Sequence, residues 1–309
     1  MENITAVHTL IREHFPADVE IIQLREFTTW KTGGPAVSIA VSSSVMLADL
    51  LGITSGEGIP WFILGQGSNI LASDYGCEEL IIRLTGDLAK TFWYPSESGW
   101  ILRCGGGVHL PSLSGAACGK GASGLEFAIG IPGTVGGAVF MNAGAYGHSI
   151  SDVLTSVSVL DHRGSENIID VDDCCFGYRF SRFQDEKTVV TEVEMSLEVE
   201  DPVALRTEGK RILHLRRKKF PLEYPCAGSV FRKPEEGVPP GKLIEDAGLK
   251  GRKAGGAMVS EKHANFIINT GSATSDDIAE LIKTVRESVL SWSGILLKEE
   301  IRYLGRRKQ

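Results

Sequence analysis

The sequence predicts a protein of mixed helices and strands, divided into two or three domains. Its 309 residues exceed the size of one ordinary domain. Residues 153–159 and 189–199 alternate apolar and polar side chains, which is typical of strands in a sheet with one face in water. Residues 275–292 instead carry apolar side chains at helical spacing, between a cap at Thr274 or Ser275 and a stop at Gly294. Both periodicities in one chain indicate a mixed α and β architecture.

Composition and charge restrict the classes of function. Hydrophobic residues make up 42% of the chain and charged residues 23%, as in soluble globular proteins. The net charge of −7 argues against nucleic acid as the main partner. The six cysteines form no C-x-x-C motif, so we expect reduced thiols in a cytoplasmic protein and no metal site. The N-terminal residues lack the apolar segment of a signal peptide, so no signal peptide is predicted.

An uncharged, glycine-rich stretch occupies the middle of the chain. Residues 127–147 contain no charged side chain and carry glycine at positions 130, 133, 136, 137, 144 and 147. Because glycine loses much conformational entropy on folding, this density indicates a need for bare backbone, such as N–H groups that hold phosphates. A buried glycine turn without a ligand is the alternative. A membrane span fits the length but not Pro132, Asn142 and the glycines, so no membrane association is predicted.

Two further glycine turns follow apolar strands. Residues 61–64 run into Gly65-Gln66-Gly67-Ser68-Asn69, and residues 100–104 run into three glycines at 105–107. The first turn has the hydroxyl and amide groups that suit a pyrophosphate, although a plain tight turn is the alternative. It lacks the third glycine and the following helix of the dinucleotide fingerprint. Residues 115–120 also fail the spacing of a P-loop, so we exclude an NTPase.

The other elements follow from periodicity and caps. Helices are predicted at residues 4–14, 45–51, 109–118 and 242–247, and a longer one from Asp201-Pro202 to the basic residues 216–219, which suit the helix dipole. Strands are predicted at residues 37–41, 61–64, 81–84, 100–104 and within 260–269. Residues 176–183 alternate aromatic and basic side chains, which indicates a strand edge with cation–π contacts or an anion site. A final strand at 295–304 would place Glu300 and Arg302 on one face.

Eight motifs, taken in order, resemble one known family. They are TGGPA, LGQGSNIL, GLEFAIGIPGTVGGAVFMNAGAYG, FGYRFSRF, AGSVFRKP, GKLIEDAGLKG, SEKHANFIIN and EEIR. Together they resemble the UDP-N-acetylenolpyruvoylglucosamine reductases, also called UDP-N-acetylmuramate dehydrogenases, over nearly the whole chain. The shorter, second type of that family is the better match, because no inserted segment precedes the AGS motif.

The resemblance implies an α+β fold that holds FAD. Two FAD-binding subdomains of the vanillyl-alcohol-oxidase type are expected at residues 1–86 and 87–201, and a substrate-binding α+β domain at 202–309. FAD would be non-covalent, and NADPH would be the hydride donor. The positions that match FAD contacts are Thr32, Gly33, Gly34, Leu64, Gly65, Gln66, Gly67, Ser68, Asn69, Gly107, Gly130, Ile131, Pro132, Gly133, Thr134, Gly136, Gly137, Ala138, Asn142 and Gly144.

The resemblance also implies a reaction and its residues. A hydride would reach C3 of the enolpyruvyl ether of UDP-N-acetylglucosamine, and a proton would reach C2. Ser229 matches the proton donor, Arg179 the cation that stabilises the developing charge, and Glu300 a carboxyl that assists there. The positions that match substrate contacts are Tyr178, Lys219, His263 and Arg302. We expect a monomer.

Two other functions are compatible with parts of the sequence. An oxygen-using sugar or lactone oxidase of the same fold would explain the glycine turns, but not the AGSVF, GYRFS and terminal Glu-x-Arg motifs together. A non-catalytic nucleotide-binding protein would not need Ser229, Arg179 and Glu300 together.

Three residues depart from the family pattern. Cys226 stands where serine is expected, which would make the site oxidation-sensitive, with a neutral small replacement as the alternative. Lys233 stands where other branches place an amide, which leaves the substrate contacts there open, and Asn265 replaces an expected glycine.

Overall fold

The structure is a computed structural model that describes residues 2–234 and 237–306. The α-helices in these ranges are α1 Glu2–His14, α2 Ser44–Gly56, α3 Leu110–Lys120, α4 Val135–Met141, α5 Pro202–Lys219, α6 Pro240–Asp246 and α7 Ser275–Ser293. Short 3₁₀ helices occur at Leu24–Glu26, Gly86–Ala89, Glu126–Ala128, Ile150–Asp152, Val171–Cys174 and Arg182–Gln184.

Short strands connect these helices. In chain order they are β1 Val19–Gln23, β2 Pro35–Val41, β3 Trp61–Ile63, β4 Ile70–Ala72, β5 Leu80–Leu84, β6 Thr91–Ser96, β7 Gly99–Gly105, β8 Ala122–Ser123, β9 Gly144–Ala145, β10 His148–Ser149, β11 Leu154–Asp161, β12 Glu166–Asp170, β13 Thr188–Val199, β14 Lys253–Ala254, β15 Ala257–Val259, β16 Ile267–Asn269 and β17 Arg302–Leu304.

The N-terminal sheet has the strand order β1-β2-β5-β3. Strand β5 pairs in parallel with β2 and β3, and β1 pairs antiparallel with β2. Apolar side chains of β2 and β5 pack with α1 and α2 in one core, which includes Val37, Ile39 and Leu80. Because parallel strands need a crossover, α2 connects β2 to β3 across this sheet.

The middle sheet is antiparallel, with the order β12-β11-β13-β7-β6. Val193 and Met195 of β13 are buried, whereas Glu194 lies on the other face and pairs with Arg103. This arrangement confirms the strands predicted from alternation near residues 153–159 and 189–199. The edge strands β6 and β12 were not predicted, because their side chains show no such alternation: Phe92, Tyr94 and Ile168 are apolar and exposed.

The glycine-rich stretch packs against this sheet. Its only α-helix, α4, is seven residues long and is capped at its C-terminal end by Asn142, which has a left-handed backbone conformation. No helix in residues 2–234 or 237–306 has the length and apolar character needed to cross a bilayer.

The C-terminal region combines the small sheet β14-β15-β16 with α7. The predicted apolar face of α7 is confirmed: Ile278, Leu281, Ile282, Val285 and Val289 are all buried. Thr274 and Asp277 cap its first turn reciprocally, and Gly294 ends it with a φ of 73°. Asp201 caps α5 as predicted, accepting hydrogen bonds from the N–H groups of Val203 and Ala204.

The predicted strand at 295–304 is wrong except for its last three residues. Residues 298–300 pair with the segment around Phe231, through the hydrogen bonds from Arg232 N to Lys298 O and from Glu300 N to Val230 O. From Arg302 onward the chain pairs with β4 instead. This change of partner divides the segment, so residues 295–304 do not form one continuous strand.

The C-terminal region is attached to the N-terminal turns by polar contacts. Trp30 Nε1 donates to Ile267 O at 2.8 Å, and Asn269 Nδ2 donates to Trp30 O at 2.9 Å. The carboxylate of Asp74 accepts from Gly33 N at 2.8 Å and from Ser275 N at 2.6 Å. Asp74 therefore connects the TGGPA turn to the N-terminus of α7.

Candidate active site

The predicted glycine turns lie side by side in the structure. Ser68 Oγ donates to Pro132 O at 2.7 Å, which joins the turn 65–69 to the central stretch. A Cβ added to Gly65 would lie 2.6 Å from Thr134 Oγ1, so only glycine allows this close approach. Thr29 N donates to Gly67 O at 3.2 Å and connects the same turn to residues 28–34. Segments distant in sequence therefore form one continuous surface.

This surface offers hydrogen-bond donors without acceptors. Among the described residues, no hydrogen bond takes up the N–H groups of residues 65–69, nor those of Gly133 and Thr134. Thr32 is buried, and its Oγ1 also has no hydrogen-bond partner in the described ranges. Main-chain N–H groups from adjacent turns are the donors that bind a diphosphate. The residues present therefore fit FAD, which carries a diphosphate.

Other predicted FAD contacts shape the turns by their backbone instead. The N–H groups of several of them are already bonded within the protein, namely Gly33, Gly34, Gly107, Ile131, Gly136, Gly137 and Ala138. Asn142 Nδ2 donates to Gly177 O, and Asn142 Oδ1 accepts from Ser151 N. Its side chain therefore holds the 177–179 turn against the central stretch.

A cavity of about 330 Å³ contains the three predicted catalytic side chains. Ser229, Arg179 and Glu300 line it, and so do Tyr178 and His263. The wall also carries four lysines, Lys233, Lys242, Lys250 and Lys262, beside Glu245. Lys242, Lys250 and Lys262 are ion-paired with Asp246, Glu245 and Glu223. With Arg179, the lining still carries more basic than acidic residues, which suits an anionic ligand.

Arg179 and Glu300 form an ion pair at the cavity wall. Arg179 Nε donates to Glu300 Oε1 at 2.8 Å, and Arg179 Nη2 donates to Gly144 O at 3.1 Å. Arg179 has a φ of 55°, in a turn closed by hydrogen bonds between Gly177 and Phe180. The predicted cation–π contact is confirmed, with Arg179 Cζ 5.1 Å from the Tyr178 ring centroid, but residues 176–183 form this turn and a 3₁₀ helix rather than a strand edge.

Burial raises the pKa of Glu300 above its ordinary value. Desolvation raises the pKa of its carboxyl, and the positive charges of Arg179 and Arg232 oppose that rise without cancelling it. Glu299, its neighbour, pairs instead with Arg286 at 3.0 Å. Glu300 can therefore hold a proton at higher pH than an exposed glutamate.

Ser229 begins a short extended segment between two neighbours. Val230 N donates to Asn265 O at 2.9 Å on one side, and Glu300 N donates to Val230 O at 2.8 Å on the other. Gly228, just before the serine, has a φ of 76°, so the chain turns sharply into this segment. These bonds bring Ser229 and Glu300 to the same cavity.

Two predicted substrate contacts are not among the residues that line this cavity. Lys219 is exposed, with Nζ 5.5 Å from the Phe220 ring centroid. Arg302 places Cζ 4.7 Å from the Phe140 ring centroid. Burial is the main cause that lowers the pKa of His263, and the positive charge of Lys219 lowers that pKa further. Lys219 therefore still influences the cavity.

Arg216 lies near the glycine surface but was not predicted as a site residue. The helix dipole alone explains basic residues at this helix end. Arg216 lies over Gly130, and a Cβ at that glycine would overlap with Arg216 Cδ. Its Nε is buried and has no hydrogen-bond partner in residues 2–234 or 237–306. Its Cζ lies 5.1 Å from the Phe220 ring centroid. No spacing in the sequence singles Arg216 out from the other basic residues at 217–219.

The fold and site define an FAD-binding α+β protein with a basic cavity beside the cofactor surface. Two family models agree with this class: an FAD binding domain matches residues 35–169, and a UDP-N-acetylenolpyruvoylglucosamine reductase, C-terminal domain, matches residues 220–304.

Named relatives match the chain over most of its length. A UDP-N-acetylenolpyruvoylglucosamine reductase of Heliobacterium modesticaldum is 44% identical, over 90% of this chain and 88% of the relative. One from Streptococcus pneumoniae strain JJA is 41% identical, over 92% and 93%. The crystal structure of the Thermus caldophilus reductase superposes with a TM-score of 0.78 at 33% identity, over 93% and 98%. This chain belongs to the UDP-N-acetylenolpyruvoylglucosamine reductase family, and the predicted family and fold class are confirmed.

Proposed function

We propose that this chain reduces UDP-N-acetylglucosamine enolpyruvate to UDP-N-acetylmuramate, with FAD as cofactor and NADPH as hydride donor, in the synthesis of peptidoglycan precursors. Family membership and the matching FAD binding domain support this function. The structural observation that carries it is the convergence of Ser229, Arg179 and Glu300 on one basic cavity. Nothing in the structure favours the oxidase alternative.

The glycine surface would hold the cofactor. We assign the FAD diphosphate to the unbonded N–H groups of residues 65–69, Gly133 and Thr134, and a polar FAD group to Thr32 Oγ1. FAD, when bound, supplies hydride transfer between NADPH and C3 of the enolpyruvyl group. The protein supplies the binding, the charge stabilisation and the proton.

Arg179 and Glu300 would stabilise the charge that develops on the substrate. When a hydride adds to C3, negative charge spreads from C2 into the substrate carboxylate. A guanidinium held by Glu300 and Gly144 O is already oriented for that carboxylate, so little reorganisation is needed. The raised pKa of Glu300 increases the fraction of this carboxyl that is protonated at a given pH, and a protonated carboxyl can donate a hydrogen bond to the same charge.

Ser229 would donate the proton to C2. A hydroxyl is a weak acid, but the enediolate formed from the substrate is basic enough to take its proton. Ser229 lines the same cavity as Arg179 and Glu300, so donor and charge stabilisers can meet one substrate. Protonation at C2 from one side would give the lactyl ether with a single configuration.

The lysines of the cavity would bind the diphosphate of the nucleotide sugar. Lys233, Lys242, Lys250 and Lys262 surround the space, and the main-chain N–H of Lys233 donates to the Tyr178 hydroxyl at 3.3 Å. His263 would add no charge near neutral pH, because its pKa is lowered. Substrate contacts by Tyr178 and His263 are supported by their position, whereas those by Lys219 and Arg302 stay predictions.

Domain boundaries, location and assembly belong to the same proposal. The first sheet lies within residues 19–84 and the middle sheet within 91–199, which supports boundaries near 86/87 and 201/202, whereas residues 302–304 return to pair with β4 of the first subdomain. We propose a cytoplasmic monomer, without nucleic-acid or membrane partners.

A visible spectrum of the purified protein tests the function. We expect a flavin band that bleaches with NADPH under anaerobic conditions and returns when UDP-N-acetylglucosamine enolpyruvate is added. A band that returns only with oxygen would instead support an oxidase. A protein that contains no flavin, and takes none up from added FAD, would contradict the proposal.

A further inference from the structure

Asn265 attaches the segment after Ser229 to the rest of the C-terminal region. Asn265 is buried, and three of its hydrogen bonds go to the two residues that follow the serine. Its main-chain oxygen accepts from Val230 N at 2.9 Å. Its side-chain Oδ1 accepts from Phe231 N at 3.0 Å, and its Nδ2 donates to Phe231 O at 2.9 Å. One residue thus holds this short segment from one side.

The Asn265 side chain makes the hydrogen bonds that a neighbouring strand would otherwise make with this segment. Its amide presents a donor and an acceptor to the main chain of Phe231, as a neighbouring strand would. Alanine offers neither group, and aspartate lacks the donor. Phe231 is buried, so its N–H and C=O groups would lose their partners without access to water. The side chain is therefore needed to keep this segment in place.

The opposite edge of the segment carries Glu300. Glu300 N donates to Val230 O at 2.8 Å, and Arg232 N donates to Lys298 O at 2.8 Å. Val230 is thus bonded to Asn265 through its N–H and to Glu300 through its C=O. Ser229 directly precedes Val230. A shift of Asn265 would change the distance between the Ser229 hydroxyl and the substrate carboxylate that Arg179 and Glu300 would stabilise.

We propose that Asn265 is a positioning residue for proton transfer: it holds Ser229 at the distance from the substrate that protonation of C2 requires. This inference rests on the proposed function, in which Ser229 is the proton donor. Asn265 acts through Ser229, although its side chain also lines the cavity. Misplacement of a reacting group by about 1 Å lowers a rate on the order of 100-fold.

The Asn265→Ala variant tests this role in stopped-flow experiments on the FAD-loaded protein. We expect flavin reduction by NADPH at the wild-type rate, because that step does not use Ser229. Reoxidation at saturating substrate should slow on the order of 100-fold, while the substrate concentration for half-saturation stays unchanged. Val289→Ala is the matched control. It removes buried volume from the hydrophobic core that contains Phe231, but it removes none of the hydrogen bonds to Phe231. It should leave both rates unchanged.

A double-mutant cycle with Ser229→Ala distinguishes positioning from general damage. If Asn265 acts through the serine hydroxyl, Asn265→Ala should slow reoxidation by less than about threefold once that hydroxyl is absent. A full further loss, or equal slowing of both half-reactions in the single variant, would overturn the proposal. Asn265→Leu keeps a side chain of similar size, adds no charge and removes both side-chain hydrogen bonds to Phe231, so it provides the same test if the alanine variant does not fold.

Hydrogen exchange on the FAD-free protein gives a readout that is independent of activity. The Phe231 amide should exchange faster in Asn265→Ala, whereas the Arg232 amide, bonded to Lys298 O, should keep its protection. Unchanged exchange at Phe231 would contradict the role of Asn265. If wild-type protein binds FAD but is not reoxidised by the substrate, the proposed function fails instead, whatever the exchange shows.

Discussion

The cofactor surface and the substrate cavity are built in different ways. The cofactor surface uses main-chain N–H groups and glycines of three adjacent turns, and the central stretch that supplies one of them is uncharged. The cavity uses charged and polar side chains from several distant segments, including residues 178–179, 229–233 and 262–265 and Glu300. A backbone site thus tolerates few changes of shape, whereas a side-chain site depends on individual functional groups. The two should therefore respond to mutation separately.

Removal of the Ser229 hydroxyl should have the largest effect, and only on the cavity. In Ser229→Ala, we expect flavin reoxidation by the substrate to slow on the order of 1000-fold, because general-acid catalysis is lost. FAD content and flavin reduction by NADPH should stay at wild-type levels. Stopped-flow absorbance at the flavin band measures both half-reactions. Ser293→Ala, at the end of α7, is the control serine and should change neither.

A methyl group at Gly65 should affect the cofactor surface alone. The added Cβ would lie 2.6 Å from Thr134 Oγ1, so the two turns must separate. We expect FAD binding to weaken by about 10- to 100-fold, equivalent to about 1–3 kcal/mol of strain. Fluorescence titration of the FAD-free Gly65→Ala protein measures this affinity.

The matched control lies in helix α3. A Cβ at Gly119 meets no atom within 4 Å, so Gly119→Ala should leave FAD affinity unchanged and slightly stabilise the helix. Equal FAD affinity in Gly65→Ala and wild type would show that the close approach of the two turns is not needed for the cofactor.

The same contrast explains what could be predicted from the sequence. Glycines of a backbone site stand together in the chain, so local composition alone predicts the turn 65–69 and the central stretch as candidate ligand sites. Helix α7 is equally predictable, because its apolar side chains at helical spacing all face one core. The cavity is predicted only through resemblance to a family, since no local pattern connects Arg179, Ser229 and Glu300.

Elements and residues whose surroundings leave no regular pattern in the sequence could not be predicted. Strand β6 exposes Phe92 and Tyr94, so its pattern does not resemble a half-buried strand. The segment 295–304 changes its partner after Glu300, which periodicity does not reveal. Arg216 contacts Gly130 from a basic run that the helix dipole alone would explain. Asn265 acts through hydrogen bonds to the main chain of a segment 34 positions away, so no local pattern predicts its role, and only its departure from the family's glycine marks the position.

Replacement of Glu300 by glutamine should have the smallest effect on rate and a distinct pH dependence. Glutamine still donates a hydrogen bond, so Glu300→Gln should slow reoxidation by less than about tenfold at low pH. In the wild type, the rate should fall as pH rises through the raised pKa of Glu300, because the carboxyl then loses its proton. The variant cannot ionise and should lack this fall. Stopped-flow reoxidation across about pH 5 to 9 measures both profiles.

The stability of the protein gives an independent test of the same pKa. A raised pKa means that folded protein binds the Glu300 proton more tightly than unfolded protein does. The stabilisation is therefore complete below the ordinary pKa of glutamate and is lost as pH rises through the raised value. Relative to wild type, the Tm of Glu300→Gln should increase over that interval. His263, on the same cavity, is present in both proteins, so its lowered pKa contributes to both stability curves. A Tm difference independent of pH would mean that Arg179 keeps Glu300 ionised throughout, and the cavity would then stabilise charge through the arginine alone.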